Sequence, residues 1–340
     1  MSTTPIEVLL TLSLPEDALE TIRQVSDRIN LTVQPVRSAD AITAEQWEKA
    51  EVLYTGSVLP LPEQAPKLRW VQFHYAGIDH AINAPLMQSK AVQFTTMSGA
   101  VAPQVAEHVI MMMLALGHQM RELNSLQLKT EWPADRWERL KPVELRGSTV
   151  GIVGYGSIGR EIARLLTPFN VRILAAKRDA MHPEDNGYRI EETGDPQGDL
   201  FDRLYPGAAV RSMLKECDFV VVCLPLTRST RGFINQEVLS EIKPGAFLVD
   251  VSRGGIIDEK AILAALQEKR IAAAALDVFS EEPLPPNNPL WKLPNVLISP
   301  HISGVSSFYG IRAAQMFAEN LNRYSSGSPL LNEVDSELGY

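Results

Sequence analysis

The stretch TVGIVGYGSIGREIARLL, residues 149–166, decides the fold. A β-branched apolar run leads into Gly154, Gly156 and Gly159 at G-x-G-x-x-G spacing. A helical pattern follows with Ile158, Ile162, Leu165 and Leu166 on one face, and Pro168 closes it before the next apolar run. The bare spacing of glycines is a weak signal. A strand immediately before it and a helix immediately after it supply the context that a dinucleotide-binding turn demands. The first glycine permits the tight turn, the second admits a pyrophosphate to the backbone, and the third lets the helix close on the sheet. The helix N-terminus then stabilises the phosphate charge. A nicotinamide or flavin dinucleotide is the expected ligand.

The next strand, VRILAA at 171–176, ends just before Lys177, which stands 18 residues beyond Gly159. In this turn a carboxylate about 20 residues on holds the ribose hydroxyls of NAD. Here Lys177 and Arg178 stand side by side instead. A carboxylate repels a 2′-phosphate, whereas two cations attract it and a guanidinium binds it bidentately. The expectation is a preference for NADP(H), with Lys177 and Arg178 as the clamp. Asp179 keeps NAD open, because a small shift of the loop would bring its carboxylate to the ribose.

Outward from this centre, short β-rich runs alternate with helical patterns along the whole chain. Before it stand 7–12, 51–55, 68–73 and 92–94, with helical stretches at 15–29 and 43–50. After it stand 218–226, 246–252, 272–279 and 295–300, apolar throughout as strands covered on both faces are. Strands separated by helices imply crossover units and a largely parallel sheet. A long helix is expected from Ala102 to about Met120, and another over 306–324. The stretch 129–147 is polar and broken by prolines, a connection that exposes Trp132 and Trp137. Residues 181–207 are polar, rich in Gly, Pro, Asp and Glu, and without period. That is long for a loop inside a compact domain and reads as a surface insertion, with a flap over the cofactor or a subunit contact as the alternatives.

The chain's 340 residues allow two ordinary domains. Hydrophobic residues at 45% and charged ones at 21% describe a globular protein, and a net charge of −9 argues against a nucleic-acid footprint. Cys217 and Cys223 flank an apolar run and read as buried, reduced thiols. The N-terminus has no basic start before its brief apolar run, and the longest apolar stretch, 109–117, is too short to span a bilayer. A cytoplasmic protein with no membrane partner is expected. His108 and His118 lie ten residues apart with no i, i+4 partner, and no metal site is expected. His80 and His182 read as surface residues.

Three motifs follow, each at or just past a strand end. VSRGGIIDE (251–259) offers Arg253, LDVFSEEPLP (276–285) offers Asp277, Glu281 and Glu282, and LISPHISG (297–304) offers His301. Ligands bind outside the carboxyl ends of parallel strands. A cation, a carboxylate and an imidazole there suit hydride transfer to a 2-oxo acid. Arginine holds the substrate carboxylate in a fork, and the imidazole donates a proton to the carbonyl oxygen as hydride reaches its carbon. A neighbouring carboxylate favours the protonated imidazole.

With these motifs the chain resembles the D-isomer-specific 2-hydroxyacid dehydrogenase family, which includes glyoxylate/hydroxypyruvate reductases and phosphoglycerate dehydrogenases. The resemblance runs from LRWVQFHYAGIDH (68–80) and VAEHVIMMMLAL (105–116) through GYGSIG (154–159) and PLTRSTRGFIN (225–235) to the last three motifs. It implies an α/β fold of two Rossmann-like or flavodoxin-like parallel-sheet domains. A dinucleotide-binding domain, 101–304, would be inserted in a substrate domain made of 1–100 and 305–340. It further implies that Arg253 orients the substrate, His301 is the acid/base and Glu282 is its partner. Ala76 and Gly77 would hold the substrate carboxylate together with Arg253 and His301. Ser157 and Ile158 would touch the pyrophosphate, Asp277 the nicotinamide carboxamide, and Leu224, Pro225, Val251, Ser252 and Gly304 would complete the cofactor contacts. A homodimer through the cofactor domain is implied as well.

The chain departs from the family pattern at Lys177, where an acidic residue is usual, in the length of 181–207, and at 117–120, where many members carry an arginine. His74, beside the YAGID turn, reads either as a substrate-pocket residue or as a local hydrogen-bonding group. The leading expectation is an NAD(P)-dependent reductase of small 2-oxo acids giving D-2-hydroxy acids, of the glyoxylate or hydroxypyruvate kind. The alternative is a dinucleotide-sensing interaction protein of corepressor type. Intact Arg253, Glu282 and His301 favour the enzyme.

Overall fold

The computed structural model describes residues 4–335 and 339. They fall into two compact units, residues 4–101 with 186–190 and 306–335, and residues 102–185 with 191–305.

In the first unit β1 (Ile6–Leu10), α1 (Glu16–Arg23), β2 (Ile29–Val33), α2 (Ala44–Lys49), β3 (Val52–Thr55), β4 (Trp70–Phe73) and β5 (Gln93–Thr95) follow one another. Their five strands pair in the order β2-β1-β3-β4-β5, all parallel. This is the flavodoxin-like order, whose ligand edge lies at the carboxyl ends of the strands. β3 and β4 are buried at every position, whereas β2 alternates half-buried and exposed residues as an edge strand does. The helical pattern expected over 15–29 stops at Arg23. β-branched Ile29, Thr32 and Val33 make the following residues a strand, with Ile29 opposite Ile6.

In the second unit the order is α3 (Ala102–Gly117), α4 (Met120–Lys129), α5 (Arg136–Arg139), β6 (Thr149–Val153), α6 (Ser157–Leu166), β7 (Arg172–Lys177), β8 (Arg203–Pro206), α7 (Val210–Leu214), β9 (Phe219–Val222), α8 (Gln236–Glu241), β10 (Ala246–Asp250), α9 (Glu259–Gln267), β11 (Ile271–Leu276) and β12 (Val296–Ile298). Its seven-stranded sheet runs β12-β11-β10-β9-β6-β7-β8, again all parallel. The central strands β9 and β10 are wholly buried.

Two expectations change here. The long helix stops at Gly117 rather than Met120, because Val143 bonds to the Gly117 carbonyl and Gln119 turns left-handed (φ 54°) before α4 begins. The polar stretch 181–207 is not wholly irregular, since its end forms β8, which pairs with β7 from Leu174↔Arg203 onward. Pro206 closes that edge strand. Among the described residues no helix is long and apolar enough to cross a membrane. The last helix, α10 (Tyr309–Ser326), belongs to the first unit and packs on α1, with Phe317 against Tyr54 and Trp70 at ring separations of 4.5 and 5.2 Å.

Candidate active site

β6 delivers the chain to Gly154, which adopts φ +110° with its would-be Cβ only 2.8 Å from the Cys223 carbonyl oxygen. A Cβ on Gly159 would lie 2.2 Å from the Gly154 carbonyl oxygen. Both positions therefore exclude side chains. Gly156 differs, since a Cβ there would meet nothing within 4 Å. It is also the N-cap of α6 and, as glycine, supplies no side-chain cap. An open cradle at the N-terminus of α6, with Ser157 and Ile158 opening the helix, fits a pyrophosphate. Leu224 borders the turn, with its Cδ2 atom 3.2 Å from the ideal Gly154 Cβ, and the Pro225 carbonyl accepts from Thr230 at 2.6 Å.

The helical face is not the one expected. Ile158 and Leu165 are half-buried, while Arg160 and Glu161 are buried at 2% and 1% exposure beside Ile162, Ala163 and Leu166. Arg160 explains itself through the polar stretch. Its guanidinium donates to the carbonyls of Asp195 (2.6 Å) and Pro183, lies 4.9 Å over the Tyr155 ring and faces Asp185 at 3.6 Å. The Tyr155 hydroxyl donates to the Asp195 carboxylate at 2.6 Å, which also accepts from the N–H groups of Gly198, Asp199 and Leu200. Burial acts to raise the Asp195 carboxyl, but these donors outweigh it and hold it below its ordinary value. Glu161 accepts from Gly194 N–H at 2.6 Å and from Arg164 in a two-pronged bond. Pro183, Gly194 and Asp195 are thus hydrogen-bonded to the glycine turn and its helix. Sequence reading missed Tyr155, Arg160 and Asp195. The signal available was an arginine directly after the third glycine.

At the end of β7 the half-buried Lys177 ammonium donates to the carbonyls of His182 and Glu184 (3.4 Å to the latter). Burial, with Arg160 nearby, lowers its pKa. Arg178 is exposed. The Asp179 carboxylate is engaged by His182 Nδ1 at 2.6 Å and by Met181 N–H at 3.0 Å, which together hold it below its ordinary value.

The other strand ends carry the remaining candidates. Beyond β10 come Val251 and Ser252, both buried, and the half-buried Arg253, whose Nη1 donates to the Ser252 carbonyl at 2.8 Å. Asp250 accepts from Ser252, and burial pushes its carboxyl up to about 7. Beyond β11 sits Asp277, 1% exposed, accepting from Ser299 Oγ (2.6 Å), Ile302 N–H (3.0 Å) and Ser303 N–H (3.1 Å). Burial acts to raise this carboxyl too, and the hydrogen bonds win, leaving it low. The Asp277 carbonyl accepts from His301 N–H at 2.9 Å. Asp277 therefore shapes the turn beyond β12 that carries His301 at φ 52° and leads to Gly304, whose carbonyl accepts from Gln104.

His301 and Glu282 are brought together. Nδ1 lies 2.8 Å from Oε2, and the other carboxylate oxygen accepts from Phe279 N–H at 2.9 Å. Both side chains reach solvent, at 41% and 35% exposure. A carboxylate fixed at both oxygens suits a proton on Nδ1, which leaves Nε2 facing away from it. In the first unit, Ala76 and Gly77 follow β4 and are half-buried. His74 precedes them, with Nδ1 2.8 Å from the Tyr54 hydroxyl. The cysteines carry no disulfide, Cys217 buried and Cys223 half-buried. Among the described residues no cluster of His, Cys, Asp or Glu could hold a metal ion.

Comparison with known proteins bears on this arrangement. A glyoxylate reductase of Thermofilum pendens is 30% identical over 330 residues, 93% of this chain and 90% of that one. A D-isomer specific 2-hydroxyacid dehydrogenase of Xanthobacter autotrophicus Py2, solved with NADPH and MES, superposes with a TM-score of 0.80 at 26% identity, covering 99% of this chain and 100% of its own. An NADPH-dependent glyoxylate/hydroxypyruvate reductase of Sinorhizobium meliloti, solved with NADP and sulfate, gives 0.76 at 27% over 99% and 100%. The model of the NAD binding domain of D-isomer specific 2-hydroxyacid dehydrogenases matches residues 110–303. A match over that span, on two sheets of this topology, means that the chain belongs to the D-isomer specific 2-hydroxyacid dehydrogenase family.

Proposed function

We propose that this chain reduces glyoxylate- and hydroxypyruvate-type 2-oxo acids to D-2-hydroxy acids, with NADPH preferred to NADH. Hydride transfer between a nicotinamide dinucleotide and a small 2-oxo acid is the chemistry of its family, and the sensor alternative is not favoured. When bound, the dinucleotide supplies the hydride. The chain's own residues do the rest. Arg253 pairs with the substrate carboxylate, which the backbone of Ala76 and Gly77 also holds, and His301 Nε2 gives its proton to the carbonyl oxygen. Glu282 keeps the imidazole oriented through its bond to Nδ1. The observation that carries this reading is the 2.8 Å His301–Glu282 bond on a turn anchored by Asp277.

On the cofactor side, Gly154, Gly156, Gly159, Ser157 and Ile158 hold the pyrophosphate, with Leu224, Pro225, Val251, Ser252, Asp277 and Gly304 around the nicotinamide end. Residues 101–304 are the dinucleotide domain, and 1–100 with 305–340 the substrate domain. The NADPH preference rests on Lys177 and Arg178 at the end of β7, where the carboxylate of Asp179 is already engaged by His182 at 2.6 Å. Lys177 contributes by charge and by holding the loop carbonyls, and Arg178 by direct contact. The test is consumption of NADPH and NADH in parallel with glyoxylate and hydroxypyruvate. Arg178→Ala is expected to lower kcat/KM for NADPH by about tenfold and to leave NADH nearly unaffected. Equal losses with the two cofactors would sink the clamp while leaving the reductase standing.

A cytoplasmic homodimer fits the same reading. Two cysteines without a disulfide suit a reducing compartment. The surface that follows α3 exposes Leu128 (87%), Trp132 (84%) and Trp137 (75%), with Arg136 4.6 Å over the Trp137 ring. A cluster of exposed aromatic and aliphatic side chains with an arginine is what a subunit interface presents before it closes. Sedimentation should therefore return twice the chain mass, and Trp137→Asp should shift the protein toward the monomer.

A further inference from the structure

Tyr54, on β3, is 0% exposed and packs against Phe317. Among the described residues its hydroxyl has one hydrogen-bond partner, His74 Nδ1 at 2.8 Å. A buried hydroxyl without an acceptor is costly, so Tyr54 donates and Nδ1 accepts. That leaves the ring proton on Nε2. The imidazole is held on three sides by rings, those of Tyr54, Tyr75 and Tyr309 at centroid separations of 5.6, 5.4 and 5.0 Å. The Tyr309 hydroxyl bonds to the His74 carbonyl as well. Nε2 has no partner among the described residues, and it is not among their buried atoms lacking one, so it reaches the surface. Burial of the ring lowers its pKa to about 4. His74 is thus a fixed, neutral N–H donor at the carboxyl end of β4, two residues before Ala76.

We infer that His74 is a specificity-determining residue, its Nε2–H donating to an uncharged oxygen on C3 of the substrate, so that a 3-hydroxy-2-oxo acid is preferred to one without that hydroxyl. The inference rests on the reading of Ala76–Gly77 as the seat of the substrate carboxylate and deepens it. A neutral donor recognises a hydroxyl without attracting a second carboxylate, and a site built around such a donor discriminates against the analogue that leaves it unpaired. Tyr54 and Tyr309 act through His74 as positioning residues.

The experiment compares kcat/KM for hydroxypyruvate and for glyoxylate in the native chain and in His74→Phe, His74→Gln and Tyr54→Phe. The native ratio should favour hydroxypyruvate and stay constant from about pH 6 to 9, because the imidazole is neutral throughout that range. His74→Phe should lower the ratio by about tenfold or more, chiefly through KM for hydroxypyruvate, with His74→Gln restoring part of it. Tyr54→Phe should fall between, since the ring persists but its tautomer is no longer fixed. A native ratio of one or below overturns the inference without any variant. So does a His74→Phe enzyme that loses both substrates equally. Turnover of glyoxylate with no discrimination sinks His74 alone, whereas no turnover of either acid sinks the proposed activity with it.

Discussion

An enzyme carrying His301→Asn is expected to reduce its 2-oxo acid about 10²–10⁴ times more slowly than the native chain, with dinucleotide affinity little changed. Asparagine is the right replacement for a structural reason. His301 sits at φ 52°, a left-handed conformation that asparagine tolerates better than most residues. The turn around it is set by main-chain groups, with His301 N–H on the Asp277 carbonyl and Ile302 and Ser303 N–H on the Asp277 carboxylate, so the fold of the loop survives. What is lost is the proton at Nε2. Glu282→Gln should also lower the rate, because the carboxylate uses one oxygen for Phe279 N–H and the other for His301 Nδ1, whereas an amide oxygen kept on Phe279 turns an NH2 donor toward the ring. Steady-state rates with saturating NADPH, beside a fluorescence titration of the cofactor, separate the two effects. A kcat within a few-fold of native for His301→Asn would remove His301 from the proton-transfer role.

The sequence was legible where one local physical demand fixes residue type. Gly154 and Gly159 cannot carry a side chain, at φ +110° and 2.2 Å from a carbonyl oxygen, and the strand–turn–helix pattern announces them. The continuous apolar runs that became β6, β9 and β10 are buried on both faces, which periodicity reads directly. His301, Glu282 and Asp277 could be named from their strand-end motifs, but not the division of labour. That Asp277 shapes the turn follows from three hydrogen bonds across 22–26 residues, which no spacing encodes.

Long-range polar contacts defeated the reading for the same reason. β2 was left out of the strand readings, the helical pattern running as far as its first residue, because its half-exposed alternation is weak and only pairing with β1 makes it a strand. Arg160 went unread in the sequence. Its burial is defined by carbonyl oxygens of Pro183 and Asp195, supplied 23 and 35 residues later by a stretch with no period at all. The sequence likewise did not show that the Lys177 ammonium donates to two carbonyls of that same stretch. Charge type was readable at each position. The partner was not.

Asp195→Ala is the substitution that weighs the polar stretch, and it is expected to destabilise the chain by about 3–5 kcal/mol. The Asp195 carboxylate is 3% exposed and accepts from the Tyr155 hydroxyl and three successive N–H groups at 2.6–3.2 Å. Without it those donors are stranded beside the buried Arg160 guanidinium. A true surface insertion would lose no more than about 0.5 kcal/mol at any such position, so urea denaturation distinguishes a mere appendage from a part of the dinucleotide unit. The pH dependence gives an independent sign. The folded carboxyl is held below its ordinary value of 3.8, so its contribution is fully present above that value and fades as pH falls through the folded one. The stability gap between native and variant should therefore be flat from about pH 5 to 8 and close only in strong acid. Because Tyr155 lies between Gly154 and Gly156, the same variant should also bind NADPH more weakly. Unchanged affinity alongside lost stability would confine Asp195 to holding residues 181–200 in place and leave the glycine turn self-sufficient.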